Sequence, residues 1–283
     1  MARESKASAR IHQNQRESAT NPILRYLLRA ALYSLLIGPI AALGLYALST
    51  RWFYPQLLPS EWAIQPLMRQ LANPRTQAAL VSSLMIAGLV TALSLLIGLP
   101  AARTLGLRRF RGRELVLLVL FLPNVVPPLA TSMGLNILFL RLGLAGGTLG
   151  VVLVHLVPVL PYAIFALLGV FARYDEGYEQ QARTLGANRM QVLWRVTLPL
   201  AGPGLAVAAL FAFLVSWSQY VLTLLIGGGR VITLPILLFS AVAGGNPTTI
   251  AALALLFAAP PLIAIAVAAR ALSGGSATIG QQY

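Results

Sequence analysis

The stretch that decides the fold is 175–199, DEGYEQQARTLGANRMQVLWRVTLP, the longest polar interval between the apolar segments of the chain. Gly186 suits the left-handed residue that follows the end of a helix. Asn188, with Gln191 three residues later, predicts a capping box at the start of a second helix. These residues therefore predict two short helices joined by a tight turn. The unit spans 173–200 and is called the hairpin below.

Pro199 stands near the end of the hairpin, before the next apolar run. Because proline inside a helix removes a hydrogen bond and clashes with the preceding turn, we expect the second hairpin helix to end there. On pattern alone, two other interpretations of the hairpin remain open. It is also typical of an amphipathic helix lying on lipid or of a DNA-binding helix-turn-helix. Membrane spans on either side argue against access to a DNA groove.

The composition identifies an integral membrane protein. Of the 283 residues, 58% are hydrophobic and 10% are charged, with a mean hydropathy of +0.77. A soluble domain carries about a quarter charged residues. Apolar runs of about 20 residues match the hydrocarbon core of a bilayer. We expect an all-α protein with six transmembrane helices, near 26–48, 77–102, 115–140, 148–172, 202–226 and 248–269.

Proline and glycine mark irregular places in this layout. The third predicted span contains Pro123, Pro127 and Pro128, so we expect it to be kinked or broken. Residues 61–71 are expected to form a short surface helix that ends at Asn73. Gly227 begins a predicted outer loop that runs to 247.

Arginine and lysine set the predicted orientation. The hairpin, both termini and the loop at 102–114 fall on one side, and that side holds sixteen of the 21 basic residues. This bias places them in the cytoplasm. The net charge of +14 is therefore better explained by topology than by nucleic acid. The loop contains five arginines, which fit a topology signal and contact with lipid phosphate or, alternatively, contact with a cytoplasmic protein.

The hairpin resembles the "EAA" loop of permease subunits of type I binding-protein-dependent ABC importers. In that family the glycine is followed after nine residues by Ile-x-Leu-Pro. Here Gly186 is followed at that spacing by Val196-Thr197-Leu198-Pro199. Gln180-Gln181-Ala182 stands where Glu-Ala-Ala is usual, with Glu179 just before it.

The resemblance covers roughly 73–270 and implies the type I permease fold, with the hairpin as the coupling helix that docks in a cleft of a cytoplasmic ATPase. It further implies a pore of two permease subunits, equal or homologous, an ATPase dimer that binds ATP and Mg²⁺, and a solute-binding protein outside the inner membrane. The implied docking residues are Glu179, Gln180, Ala182, Leu185, Gly186, Arg189, Leu198 and Pro199.

By this resemblance the chain divides into a cytoplasmic tail (1–25), a permease domain (26–270) and a second cytoplasmic tail (271–283). The 227–247 loop and the 51–75 segment are expected to contact the binding protein. The nearest branch of the family transports polyamines, thiamine, sulfate or phosphonate, and the sequence does not choose among them.

The chain itself lacks the elements of an enzyme. The glycine run at 227–229 is not followed by the Gly-Lys-Ser/Thr of a P-loop. All seven acidic residues lie outside the predicted spans, which leaves no credible catalytic pair and no metal site. Cofactors are therefore expected only on a partner chain. Proton-coupled porters usually bury ionisable groups at mid-membrane, and here only His155 qualifies. This favours ATP-driven transport over the alternative, a secondary transporter or channel that works alone. A membrane-bound regulator without transport is a third possibility.

Polar residues within the spans are the candidates for the solute path. On the fifth span, Ser216, Gln219, Tyr220 and Thr223 have the spacing of one helix face. Trp217 adjoins that face, and Asn136 and His155 complete the candidate set. The opposing interpretation is hydrogen bonding between helices, which for His155 is the favoured one. Because the neighbouring Ser218-Gln219 is neutral, the path favours a neutral, zwitterionic or anionic solute.

Overall fold

A computed structural model describes residues 22–51, 56 and 61–279. Five helices are long and apolar enough to cross a membrane, and a sixth span is obtained if one sharply bent helix pair is counted as a single crossing. This agrees with the predicted six-span, all-α fold. Most of the predicted tail at 1–25 and part of the 51–75 segment lie outside the described residues.

The described elements follow one another in the order below. A short antiparallel pair of strands, with Ser49 opposite Trp62, precedes the second helix. The elements are α1 (Pro22–Ala47), β1 (Ser49–Arg51), β2 (Glu61–Trp62), α2 (Gln65–Ala72), α3 (Pro74–Leu107), α4 (Arg113–Val125), α5 (Pro128–Arg141), α6 (Thr148–Phe171), α7 (Gly177–Thr184), α8 (Arg189–Val192), a π-helical turn (Leu193–Thr197), α9 (Leu198–Trp217), α10 (Val221–Gly227), α11 (Leu234–Gly244) and α12 (Pro247–Ile279).

Helices α3, α6 and α9 form the centre of the bundle, and α6 is the most buried of the spans. Close approach depends on small residues, as is usual between helices in membranes. A side chain at Gly204 on α9 would collide with Val170 on α6. A side chain at Gly106 on α3 would approach the Phe171 Cβ to 2.6 Å. Both contacts lie near the end of the bundle that carries the hairpin, which fixes the helices there at short separation.

The third span is broken, as its prolines predict. Helices α4 and α5 are bent by 102° relative to each other. Val126 ends the first half in an extended conformation, and Pro128 starts the second, where its missing N–H is not needed. The short surface helix predicted over 61–71 is shorter than expected, because Glu61–Trp62 form β2 and the helix, α2, covers Gln65–Ala72. Asn73 ends it, as predicted, and caps α3 through the Arg75 N–H.

The fifth span and the outer loop differ from expectation. The fifth span is not one helix over 202–226, because α9 ends at Trp217 and α10 begins at Val221. The outer loop contains α11, whose first residue, Leu234, is fully buried and donates its N–H to Ser83 on α3. Helix α12 also continues ten residues beyond the predicted end of the sixth span, to Ile279.

Candidate functional site

The hairpin has the backbone predicted for it. Helix α7 ends with the Gly186 N–H bonded to the Arg183 carbonyl and the Ala187 N–H bonded to the Ala182 carbonyl, the two bonds of a Schellman motif. Gly186 has a φ of +89°. The Asn188 side chain and backbone exchange two bonds with Gln191, which completes the capping box. The glycine and the cap together fix the angle between α7 and α8.

The expectation that Pro199 ends the second hairpin helix is wrong. Residues Arg189–Trp217 form one continuous helical segment of 29 residues. Pro199 and Leu198 lie in the first turn of α9, directly after the π turn. The wider π turn changes the backbone hydrogen-bond register just before the residue that has no N–H to donate. The second hairpin helix therefore continues into the membrane span without a break in the helix.

Glu179 is turned inward. Its carboxylate lies 2.6 Å from an Arg103 Nη on α3, and it accepts hydrogen bonds from Tyr174 and Thr197 at 2.9 and 2.8 Å. Its side chain is 4% exposed. Burial raises the pKa of Glu179, but the hydrogen bonds from Thr197 and Tyr174 and the Arg103 charge outweigh burial, so its pKa lies below the ordinary value. Glu179 therefore does not share the exposed surface expected for a docking residue. It joins the hairpin to α3 and to the π turn.

The outward surface of the hairpin is centred on Leu185, which is 88% exposed. Of the other predicted docking residues, Gln180, Gly186, Arg189 and Pro199 are exposed, while Ala182 and Leu198 are half-buried. Sequence reasoning missed two further exposed apolar residues, Met190 and Trp194. Their spacing of four places them on one helix face, and the Trp194 Nε1–H points at the Met190 sulfur at 3.1 Å.

The five arginines between 103 and 113 do not act as one group. Arg103 is paired with Glu179, and the Arg113 Nε–H donates to the Leu105 carbonyl at 2.8 Å. Arg108, Arg109 and Arg111 are exposed. Two of the five thus stabilise the end of the bundle, and three are available to lipid phosphate or a partner.

His155 is a packed, hydrogen-bonded residue. It is 1% exposed, with Nδ1 at 3.0 Å from the Ser216 hydroxyl and Nε2 at 2.9 Å from the Thr223 hydroxyl. The Thr223 hydroxyl also donates to the Gln219 carbonyl. Because its one proton is used in this way, the Thr223 hydroxyl can only accept a hydrogen bond from His155. The ring proton is therefore on Nε2, in the neutral tautomer. His155 bridges α9 and α10 across the break in the fifth span.

The polar residues predicted to form one face therefore divide into two groups. Ser216, Thr223 and His155 bond to each other inside the bundle. Trp217 is buried, stacks on Phe213 and Phe257, and donates its ring N–H to the Phe257 carbonyl. The side chains of Ser216, Thr223, His155 and Trp217 thus all have hydrogen-bond partners within the protein. This agrees with the interpretation that these polar residues bond helices to each other. Gln219 and Tyr220, by contrast, lie within the helix break at 218–220.

Gln219 and Tyr220 line a cavity of about 510 Å³, here named the central cavity. Tyr220 stacks on Phe239 with ring centroids 4.3 Å apart. Asn124, beside Pro123, also lines this cavity, and its buried Nδ2 has no hydrogen-bond partner. Asn136 lies on α5 outside the cavity lining, with its Oδ1 buried and unpaired. The wall consists of Pro123, Asn124, Val126, Pro128, Thr131, Ser132, Val157, Pro158, Tyr162, Val215, Ser218, Gln219, Tyr220, Val221, Leu222 and Phe239.

Comparison with known proteins agrees with this architecture. Residues 94–273, more than half of the chain, match the family described as "Binding-protein-dependent transport system inner membrane component". The chain belongs to this family. It is the transmembrane subunit of an ATP-driven importer, a transport component rather than an enzyme, as the hairpin motif predicted.

Relatives and solved structures extend the family match. The molybdenum transport system permease protein ModB of Mycobacterium tuberculosis is 33% identical over 246 residues, which cover 81% of this chain and 89% of that protein. The spermidine/putrescine permease PotC of Haemophilus influenzae is 28% identical over 186 residues, covering 66% and 72%. A chain of a bacterial ABC transporter that imports alginate has the same fold, with a TM-score of 0.69 at 20% identity, covering 88% of this chain and 95% of that one.

Proposed function

We propose that this chain forms half of a pore with a second permease subunit, and that its hairpin docks on a cytoplasmic ATPase that carries ATP and Mg²⁺. The observation that carries the proposal is Leu185, an apolar side chain 88% exposed at the tip of a rigidly capped turn. An exposed leucine can insert into an apolar pocket of a partner, where its burial would favour binding. Gln180 lines a shallow pocket beside it, and Arg189 and Pro199 are also exposed.

In this proposal both termini and the hairpin lie in the cytoplasm, where the bias of basic residues places them. A solute-binding protein then approaches the opposite side, near the 227–247 segment. The partner's motion enters through the hairpin, whose second helix continues into the membrane as α9. Alternating access follows if that movement tilts α9 against the fixed α3 and α6. An autonomous secondary transporter has less support, because the one buried ionisable residue in the described spans, His155, is held in internal hydrogen bonds.

We further propose that the cargo is a small oxyanion. The named cargo of the ModB relative contains molybdenum, and a 31% identical relative over 147 residues in Pyrococcus abyssi is named a molybdate/tungstate permease. The central cavity has no acidic residue in its lining. A polyamine would find no counter-charge there, so the cavity supports an anion over the cargo named for PotC.

Docking is tested by co-purification of the ATPase with Leu185→Asp. Burying a leucine contributes about 1.5–3 kcal/mol, so its replacement by a charge should weaken ATPase retention by at least tenfold. Leu142→Asp is the matched control, because Leu142 is 60% exposed just after the end of α5 and precedes α6, whereas the hairpin follows α6. Equal retention in the two variants would refute docking through the hairpin.

Cargo is tested with the full complex and its binding protein in proteoliposomes. We expect ATP-dependent uptake of molybdate or sulfate, and none of spermidine. Uptake of spermidine alone would overturn the cargo proposal and leave the docking proposal standing.

A further inference from the structure

Two breaks in membrane helices meet at the central cavity. One is the corner between α4 and α5, where Val126 and Pro128 line the wall, and the other is the 218–220 segment between α9 and α10. Backbone that leaves the helix at membrane depth is tolerated where it is covered by protein or lines a watery cavity. Broken helices that converge on one space are also the usual architecture of a solute site in transporters.

The wall of this cavity holds a donor that the protein does not use. The Asn124 Nδ2 is buried and has no hydrogen-bond partner. By contrast, the hydroxyls of Ser132 and Ser218 donate to backbone carbonyls at 2.6 and 3.1 Å. A buried amide without a partner costs free energy. The Asn124 amide therefore does not stabilise the fold through its Nδ2, but it could donate a hydrogen bond to a ligand in the cavity.

The charge and size of the cavity narrow the class of ligand. Its lining contains no lysine, arginine, aspartate or glutamate. An anion there would be held by dipoles alone, weakly enough to leave again, as a conduction path requires. At about 30 Å³ per water, the volume of about 510 Å³ accommodates a small ion with part of its hydration shell.

We infer that the central cavity is a low-affinity subsite for a partly hydrated oxyanion, with the amides of Asn124 and Gln219 as its donors. This rests on the proposed function, because the ligand is the cargo in transit. Gln219 lies in the helix break at 218–220. Its backbone carbonyl accepts a hydrogen bond from the Thr223 hydroxyl, and that hydroxyl is also hydrogen-bonded to the His155 ring. The His155 bridge thus acts as the support that positions Gln219 at the cavity.

The test uses the complete complex in proteoliposomes with molybdate and sulfate as probes. Asn124→Leu keeps the approximate shape and removes the donor, and we expect the KM for uptake to rise at least fivefold. Asn124→Asp adds a negative charge, and we expect uptake to fall at least tenfold. Since the lost amide has no internal partner at Nδ2, the melting temperature of Asn124→Leu should not fall. A purely structural role predicts the reverse, a lower melting temperature with an unchanged KM.

Ser94→Ala is the control, because Ser94 on α3 also carries a buried polar atom without a partner but does not line the cavity. Its uptake should match that of the unaltered chain. Unaltered molybdate and sulfate uptake in both Asn124 variants would overturn the inference while leaving the proposed function intact. If the unaltered complex transports neither probe but transports another solute with ATP, the oxyanion assignment of both the function and the cavity is wrong.

Discussion

The pair formed by Glu179 and Arg103 makes an asymmetric prediction about the attachment of the hairpin. Removing one partner of a buried ion pair costs about 3–5 kcal/mol, because the other charge is left buried. Glu179 is 4% exposed, whereas Arg103 is 33% exposed. Arg103→Gln therefore strands a buried carboxylate, while Glu179→Gln leaves an arginine that water can reach and keeps the oxygen that accepts from Tyr174 and Thr197.

We expect Arg103→Gln to cost about 2–3 kcal/mol, reduced from the buried-pair figure because Arg183 stands 3.7 Å from Glu179 and water reaches Arg103. Glu179→Gln should cost about 1–1.5 kcal/mol, the upper part of the range for a single ordinary hydrogen bond. Hydrogen exchange of the α7 amides reports this local free energy. It should quicken about 30- to 150-fold in the first variant and about 5- to 10-fold in the second.

Arg183→Gln is the control. Its contact to Glu179 is longer, and its side chain is 54% exposed, so exchange should change by about twofold at most. Equal exchange in Arg103→Gln and Glu179→Gln would refute the argument from burial.

The pH dependence has a definite sign. The pKa of Glu179 is lowered in the folded chain, so its stabilisation is present above the ordinary value of 4.5 and is lost as pH falls through the lower folded value. The stability difference between Glu179→Gln and the unaltered chain should therefore be constant near neutral pH, shrink as the pH falls below 4.5 and vanish below the lowered folded pKa. A difference that does not shrink as the pH falls would contradict the ion pair.

Three further predictions concern single residues. Gly186→Ala should cost about 1–2 kcal/mol, because a left-handed residue strains a side chain even where space is open; hydrogen exchange of the hairpin measures this, and exchange as slow as in the unaltered chain would contradict it. Gly204→Ala should lower the free energy of unfolding by about 1–3 kcal/mol, because the new methyl group collides with Val170. Gly202→Ala, with nothing nearby, is the control and should cost well under half of that. Thermal unfolding compares the two, and equal melting temperatures would refute the close helix contact. His155→Leu should cost about 1–3 kcal/mol by leaving two buried hydroxyls without their partner, and should speed hydrogen exchange in α10 more than in α6; uniform exchange would argue against the bridge.

Local chemistry made the hairpin turn and the bent third span predictable. Gly186 and Asn188 each have one strongly favoured role, and neighbours within a few residues satisfy them. Pro127 and Pro128 likewise disfavour an unbroken helix, although α12 runs through Pro260 and Pro261 without a break. Because the hairpin turn and the bend in the third span depend on residues close together in the chain, both can be predicted from the sequence.

The features that sequence reasoning missed depend on distant partners. Glu179 turns inward because Arg103, 76 residues away, is there to meet it. The polar spacing of 216–223 fits an unbroken helix equally well, and only His155 on a neighbouring helix shows that its hydroxyls are used inside the bundle. Pro199 was expected to end a helix because proline cannot donate the backbone hydrogen bond. The π turn that accommodates it cannot be recognised from the sequence.

The uninterrupted passage from α8 through the π turn into α9 has a geometric consequence. Its 29 residues, at 1.5 Å each, make a rod of roughly 43 Å that reaches from the hairpin turn to the helix break beside Gln219. If this rod pivots near its hairpin end, a tilt of only about 5° sweeps its far tip by roughly 4 Å, by trigonometry on the same length. A modest push at the hairpin is thereby magnified where the solute would pass.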